Sequence, residues 1–407
     1  MVTDEKGENF LSWKKWMIAG WILLFAGAGC STAMEREGGY EQENQQKTER
    51  QEKEERISKE SEQLAEGFRE IYEEKKDSGG KDTLEFRKQI IQAIGEQGYA
   101  AVDTDNQINM VHYGQIEDFC ESAEEGEEAA TVFFCVTEEG GWIRYDLETQ
   151  NGDIDVTESS LRWENNSPEV YYYHEFEVVS WDYTDKGYLF LEESRPAGYD
   201  GAPGQKAFRI RPLDRSCREA YQTYIASVGY ERNNLLITDW TEQDSKELDF
   251  YDLYERLYRA KYGEIVPYEA EEGAEYNVPE EEIEEVLQSY FSFDRQTIRE
   301  HMNYQPESGT FLYRPRGRHD GGSPYGPYPE VTGYKELEDG KIQLTVEAVW
   351  EMEMLDCAMK SELVVRPMED GTFQYVSNRV IFREERMTNF WYKPRLTEEE
   401  WSNYYGQ

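Results

Sequence analysis

The residue types best suited to binding an anion are concentrated in one segment, residues 313–330, which reads YRPRGRHDGGSPYGPYPE. Its candidate contact residues are Arg314, Arg316, Arg318, His319, Tyr325 and Tyr328. A guanidinium group offers a planar fork of N–H donors to a carboxylate or a phosphate, and a tyrosine ring offers a face to a sugar or a peptide. In a strand, the three arginines would share one face. The segment therefore predicts a contact surface for an anionic polymer or an acidic protein segment.

The overall charge gives the same arginines a second interpretation. The chain has 407 residues, with 86 Asp and Glu against 43 Lys and Arg, and a net charge of −43 at pH 7. Surplus carboxylates of the protein could pair with the arginines across a sheet edge, and such surface pairs contribute little to stability. The charge also repels nucleic acids and anionic lipid headgroups. We therefore expect no nucleic-acid partner, and both interpretations of the arginines stay open.

Motifs for catalysis and for metal binding are missing from the sequence. The chain has four histidines and contains no HExxH, GxSxG or P-loop pattern. Asp103 and Asp105 suggest a calcium loop, but Ile108 stands where that loop needs glycine and Gly114 stands where it needs glutamate. We therefore expect no metal, no cofactor and no enzymatic activity.

The N-terminal residues indicate export and a lipid anchor. A lysine pair precedes an apolar run over residues 16–29, and this run is shorter than the about 20 apolar residues of a membrane-spanning helix. The exit Ala28-Gly29-Cys30 resembles the lipobox of bacterial lipoproteins, although Gly27 stands where that family usually has leucine. The resemblance implies cleavage before Cys30, diacylation of its sulfur and a location at the outer face of the plasma membrane. The rest of the chain is similar to uncharacterised lipoproteins of Gram-positive bacteria, which implies no activity.

These features favour a lipid-anchored, non-catalytic binding or accessory protein of the cell envelope, with the membrane and an anionic envelope polymer or acidic protein segment as partners. The alternative is an envelope enzyme that acts on glycan or peptidoglycan, because such enzymes need only two carboxyl groups about 5–10 Å apart. With 86 acidic residues, the sequence offers many such pairs and singles out none. A solute receptor is disfavoured, because it would need longer alternating strands and helices.

Hydrophobic periodicity predicts an α+β fold with two modules. In each, an amphipathic helix is followed by hairpin-linked strands, so that the helix packs on a mostly antiparallel sheet. This order resembles cystatin-like or nuclear-transport-factor-like folds, which host many functions. The predicted divisions are a lipoprotein signal peptide at 1–29, the lipidated Cys30 and a charged, partly helical tether at 30–80, a first α+β module at 81–212, a helical joint and acidic connector at 213–276, a second α+β module at 277–383 and an aromatic tail at 384–407.

Four cysteines remain besides Cys30, namely Cys120, Cys135, Cys217 and Cys357. None of their spacings matches a metal or redox motif, and free cysteine is often simply buried. We expect four unpaired thiols.

Overall fold

The computed structural model describes residues 34–77, 84–322, 325–384 and 391–406, with side chains from residue 47 onward except those of residues 76 and 77. The predicted signal peptide at 1–29 and Cys30 lie outside these residues. The chain divides into two compact units, Met1–Arg56 and Ile57–Gln407. Helix α1 (Met34–Glu66) begins in the first unit, and the elements that follow it belong to the second.

A seven-stranded sheet occupies the first half of the second unit, and its strands lie in chain order. The strands are β1 (Ala100–Asp103), β2 (Ala129–Val136), β3 (Trp142–Gln150), β4 (Asp153–Glu164), β5 (Ser167–Tyr183), β6 (Tyr188–Glu193) and β7 (Gln205–Arg209). β1 and β2 are parallel, and the later pairs are antiparallel. Asn151 and Gly152 turn β3 into β4 with φ of 56° and 86°, the left-handed backbone that a tight hairpin requires.

Helices cover both faces of this sheet. Successive side chains of a strand point to opposite faces, so each face buries its own set of side chains. Helices α2 (Arg69–Asp77) and α3 (Leu84–Glu96) lie on one face, where Phe86 and Phe134 share a buried cluster. Helix α4 (Gly114–Glu125) lies on the other face, where Phe119 and Phe133 belong to a second cluster.

The sheet curls until its last strand meets its first strands across the interior. The ring of Phe208 in β7 lies 4.9 Å from the ring of Phe133 in β2 and 4.9 Å from that of Tyr145 in β3. Asn106, which follows β1, donates to the carbonyl of Ala207 at 3.0 Å and accepts the backbone N–H of Arg209 at 2.8 Å. These contacts close the curl, and we call the opening lined by β3, β7 and the loop after β1 the mouth of the curled sheet.

A second sheet has five strands in the order β12-β13-β14-β15-β8, and a small sheet has the order β10-β11-β9. The strands are β8 (Trp240–Thr241), β9 (Tyr276–Pro279), β10 (Tyr304–Gln305), β11 (Thr310–Tyr313), β12 (Tyr328–Glu336), β13 (Ile342–Trp350), β14 (Leu355–Pro367) and β15 (Phe373–Arg383). The remaining helices are α5 (Arg215–Ala220), which continues into a π-helical turn over Tyr221–Ile225, and α6 (Phe250–Tyr262), α7 (Glu280–Tyr290), α8 (Arg295–His301) and α9 (Glu398–Tyr405).

The helices of the predicted joint, residues 213–276, share one core with the second sheet. Cys217 of α5 and Leu253 of α6 lie in the same buried cluster as Leu344 and Val346 of β13. Along β13, Ile342, Leu344 and Val346 are buried on one face, and from Glu347 onward both faces of the strand are buried. The α+β class is confirmed, as are the four free thiols.

Buried polar contacts connect the two large sheets. Glu330 of β12 accepts a hydrogen bond from the hydroxyl of Tyr188 at 2.9 Å and lies 3.4 Å from the guanidinium of Arg209. Burial raises the pKa of Glu330, and the charge of Arg209 opposes this shift. Lys186 reaches Glu347 of β13 at 2.6 Å. The first sheet is therefore held against β12 and β13 by a buried polar network.

Candidate functional site

Arg316 does not lie on a contact surface, contrary to one of the two interpretations of its segment. Arg316 is only 7% exposed, and its guanidinium donates to the carboxylate of Asp252 from Nε at 2.8 Å and from Nη2 at 2.5 Å. Its Nη1 donates to the carbonyls of Asp320 and Lys393, each at 2.8 Å. Arg316 therefore serves an internal ion pair.

Asp252 collects further donors from the C-terminal segment. Arg395 donates to it from Nε at 2.7 Å, and the Tyr392 hydroxyl donates to it at 2.9 Å. Asp249 caps the N-terminus of α6 by accepting the N–H of Asp252. Burial, followed by the nearby charge of Asp252, raises the pKa of Asp249 to about 6. We call Asp249, Asp252, Arg316 and Arg395 the Asp252 cluster.

The other predicted basic residues are dispersed. Arg314 pairs with Glu275 at 2.7 Å and with Glu398 of α9 at 2.5 Å, and its guanidinium carbon lies 3.9 Å from the ring centroid of Trp401. His319 stacks on Tyr404 at 4.0 Å. Arg318 is exposed and makes no ion pair with any residue that the structure describes. The backbone over 314–317 is irregular, so the arginines do not share a strand face.

Tyr325 and Tyr328 lie at a different place, a groove of about 640 Å³ at the mouth of the curled sheet. One wall comes from β3, β7 and the loop after β1, and the other comes from the Tyr325–Tyr328 segment with Glu351 and Met352. The sequence-predicted residues are thus divided, with two tyrosines at this groove and the arginines in the Asp252 cluster or near it.

Aromatic rings form the deep part of the groove. Tyr145 is 4% exposed, stacks on Phe133 at 5.1 Å, and lies beside Phe208. Burial raises its pKa, so its hydroxyl stays protonated. That hydroxyl makes no hydrogen bond with the described part of the chain, whereas the Tyr328 hydroxyl accepts one from Asn106 at 3.1 Å. Tyr145 therefore has an unused donor and acceptor in the groove.

Charged groups at the groove occur in pairs. Lys206 of β7 binds Glu158 of β4 at 2.9 Å, and its ammonium lies 5.7 Å from the Tyr145 ring centroid. Arg195 donates to Glu193 at 2.7 Å. On the other wall, Glu351 accepts the backbone N–H of Ala207 at 3.2 Å. The arrangement is suited to a ligand that stacks and hydrogen-bonds, because both cations that line it are already neutralised.

Sequence reasoning missed Tyr145, Lys206 and Arg195. Each lies in a strand or loop without a motif, and they come together only because the sheet curls. Within the described ranges, no group of three or more His, Cys, Asp or Glu side chains has a geometry that could hold a metal ion. None of the helices described is both long and apolar enough to cross a membrane.

Comparison with known proteins gives one match. Neither the curated proteins nor the solved structures contain a match to this chain. The model of a family of unknown function, DUF6070, matches residues 54–395, a span that includes both large sheets, the groove and the Asp252 cluster. The chain therefore belongs to the DUF6070 family.

Proposed function

We propose that the chain is a non-catalytic binding protein of the cell envelope and that its ligand lies in the groove at the mouth of the curled sheet. The observation that carries this proposal is the pairing of a large aromatic groove with an unused hydroxyl at Tyr145. Ligand sites are commonly concave, largely apolar and supplied with a few convergent polar groups, and the mouths of barrel-like sheets are frequent places for them.

Three carboxylates at or beside the groove are held by cations of the same chain, which favours binding over catalysis, whereas Glu351 accepts the backbone N–H of Ala207 and has its pKa raised by burial. Glu158 is held by Lys206, and Glu193 is held by Arg195. Asp103 lies 3.1 Å from Arg87 and accepts backbone N–H groups of the following loop. A general acid or base must have its proton free to exchange with substrate, and these three groups are committed to internal partners.

The proposed location rests on the sequence. Ala28-Gly29-Cys30 follows an apolar run too short to span a bilayer, and lipid on Cys30 would hold the folded unit at the outer face of the plasma membrane. The ligand would then be met at the envelope. The expectation of an anionic partner is weakened, because Arg314 is paired with Glu275 and Glu398 and Arg316 is paired with Asp252, which leaves Arg318 as the exposed arginine of the segment.

A thermal-shift screen tests the groove. Full-length protein in detergent would be screened against neutral oligosaccharides, anionic oligosaccharides and short peptides, because a ligand that binds only the folded state raises its melting temperature. Ala202→Trp would fill the groove from an exposed position on its rim, and Ala197→Trp adds the same ring elsewhere in the same loop. We expect the ligand-induced shift to disappear in A202W and to persist in A197W. An equal shift in both variants would place the ligand outside the groove.

A further inference from the structure

A row of rings extends from the groove along β5. Tyr172, His174 and Phe176 alternate along this strand and therefore share one face of the sheet. Their ring centroids are 6.1 Å apart between Tyr172 and His174, and 5.5 Å apart between His174 and Phe176. Tyr172 is 44% exposed, so the row reaches solvent at that end.

Lys206 connects the row to the groove. Its ammonium lies 5.8 Å from the ring centroid of Phe176 and 5.7 Å from that of Tyr145. The strand register places Tyr145, Glu158 and His174 side by side on β3, β4 and β5. We call the rings of Tyr145, Phe176, His174 and Tyr172 the aromatic strip.

Ion pairs flank the aromatic strip and leave it without net charge. Lys206 pairs with Glu158. The Glu193 carboxylate lies 2.7 Å from the guanidinium of Arg195 and 2.9 Å from the imidazole of His174. The negative charges of Glu158 and Glu193 thus balance the positive charges of Lys206 and Arg195 when His174 is neutral. Paired carboxylates keep lone pairs, and paired ammonium and guanidinium groups keep N–H donors, so the strip can still exchange hydrogen bonds with hydroxyl groups.

The charge of the chain restricts the ligand further. A net charge of −43 repels polyanions over the whole surface, and the strip offers no unpaired cation to offset this repulsion. The net charge would attract a cation, but Glu158 and Glu193 are already paired with Lys206 and Arg195, so an uncharged ligand fits the strip best. A line of aromatic rings with hydrogen-bonding groups beside them fits ligand rings that are apolar on the face and hydroxylated at the rim.

The backbone at this site does not favour a peptide that adds as a strand. β5 is hydrogen-bonded on both sides, to β4 and to β6. The outer edge of β7 is occupied, because Asn106 takes the Ala207 carbonyl and the Arg209 N–H while Glu351 takes the Ala207 N–H. Strand addition needs a free edge of backbone donors and acceptors.

We infer that the ligand is an uncharged glycan chain, whose successive sugar rings lie on the aromatic strip from the Tyr145 groove to Tyr172. This inference rests on the proposed binding function and adds the chemical class of the ligand and the path that it follows. Because the strip extends over several rings, affinity should rise with the length of the oligosaccharide until the strip is filled.

Full-length protein in detergent would be applied to an array of neutral oligosaccharides of increasing length, anionic oligosaccharides and short peptides, and the best neutral binder would be titrated. We expect Tyr172→Ala to weaken its binding about ten-fold, in the range of one lost aromatic stacking contact. Tyr113→Ala is the control, because Tyr113 is 38% exposed at the start of α4 and belongs neither to the aromatic strip nor to the lining of the groove. It should leave the affinity unchanged, and both variants should fold like the wild type.

Three results would overturn the inference. They are preferential binding of anionic oligosaccharides, preferential binding of peptides, and equal effects of Y172A and Y113A on a neutral glycan. Each of these results is compatible with loss of the thermal shift in A202W. In that case the proposed binding function stands, and only the assignment of the ligand as a glycan is lost. If A202W instead kept the ligand-induced thermal shift, the proposed function itself would be contradicted.

Discussion

Arg316 and Asp252 form a two-point ion pair in the interior, with donors at 2.8 Å and 2.5 Å from the two carboxylate oxygens. The pair ties the loop after β11 to the first turn of α6, and Arg395 ties the C-terminal segment to the same carboxylate. Removing one partner of a buried pair leaves the other charge desolvated without compensation. An arginine that the sequence offers as a surface contact is therefore a structural element.

Arg316→Gln should destabilise the fold by about 3–5 kcal/mol, the range for a buried pair that loses one partner. Urea denaturation followed by tryptophan fluorescence would measure the free energy of unfolding. Arg318→Gln is the control, because Arg318 is exposed and has no ion pair in the described ranges, and it should change stability by less than about 0.5 kcal/mol. Equal losses in the two variants would show that the Arg316 pair contributes nothing special to the fold.

Asn106→Ala should open the contact between β1 and β7. Its side chain satisfies the Ala207 carbonyl, the Arg209 N–H and the Tyr328 hydroxyl, and its φ of 54° disfavours alanine. Leaving buried backbone groups unpaired costs about 1–3 kcal/mol each, so we expect a loss of at least about 2 kcal/mol in the free energy of unfolding. Asn151→Ala is the comparison, because its φ of 56° carries the same backbone cost at an exposed turn. A loss no larger than that of N151A would contradict the role of the Asn106 side chain.

Asp249 should give the stability a pH dependence of unusual sign. Its pKa is about 6 in the folded protein, raised by burial and by Asp252, against about 3.9 for an unperturbed Asp. A raised pKa means that the group supports the folded state fully below about pH 4 and that this support is lost as pH rises through about 6. Asp249→Asn should therefore gain stability relative to the wild type between these values and then reach a plateau.

Asp294→Asn provides a control of opposite sign. Asp294 caps α8, and its hydrogen bonds with the backbone N–H and side chain of Thr297 lower its pKa. Ionisation of Asp294 stabilises the folded wild type. D294N should therefore lose stability relative to the wild type as pH rises through the range in which carboxyl groups titrate. Chemical denaturation at a series of pH values measures both differences. Parallel pH curves for D249N and the wild type would be evidence against a raised pKa at Asp249.

Cys30→Ala should release the protein from the membrane or leave an uncleaved precursor, because the thiol proposed to accept lipid would be absent. Cell fractionation and metabolic labelling with a fatty-acid analogue would detect either result. Cys357→Ala keeps Cys30 and removes another free thiol, so it should be labelled and membrane-bound like the wild type. A wild type that takes up no label would refute the lipid anchor.

Local patterns in the sequence predict much of the fold. The helical spacing of Phe86 and Ile90, the Asn151-Gly152 turn and the alternation from Ile342 to Val346 are read from neighbouring residues, and the structure has each of them. Helix α4 carries the same kind of signal, because its buried residues Ile116, Phe119, Cys120 and Ala123 recur at helical spacing.

The candidate site could not be predicted in the same way. Arg316 finds Asp252 across 64 residues of chain, and Tyr145 meets Phe208 only because seven strands curl. The net charge made internal pairing of the arginines an open interpretation, but it could not name the partners. Pairings that depend on tertiary packing leave no periodic signal.

The most direct measurement of the central claim is the affinity of Tyr145→Phe for the compound that most raises the melting temperature of the wild type. The substitution removes only a hydroxyl that has no hydrogen bond with the described residues, so stability should be unchanged. If that hydroxyl binds the ligand in the groove, the affinity should fall about three- to ten-fold, the value of one neutral hydrogen bond. Tyr113→Phe, the same change at an exposed tyrosine outside the groove and the aromatic strip, should have no effect. An unchanged affinity in Y145F, or equal losses in the two variants, would contradict a ligand site at the mouth of the curled sheet.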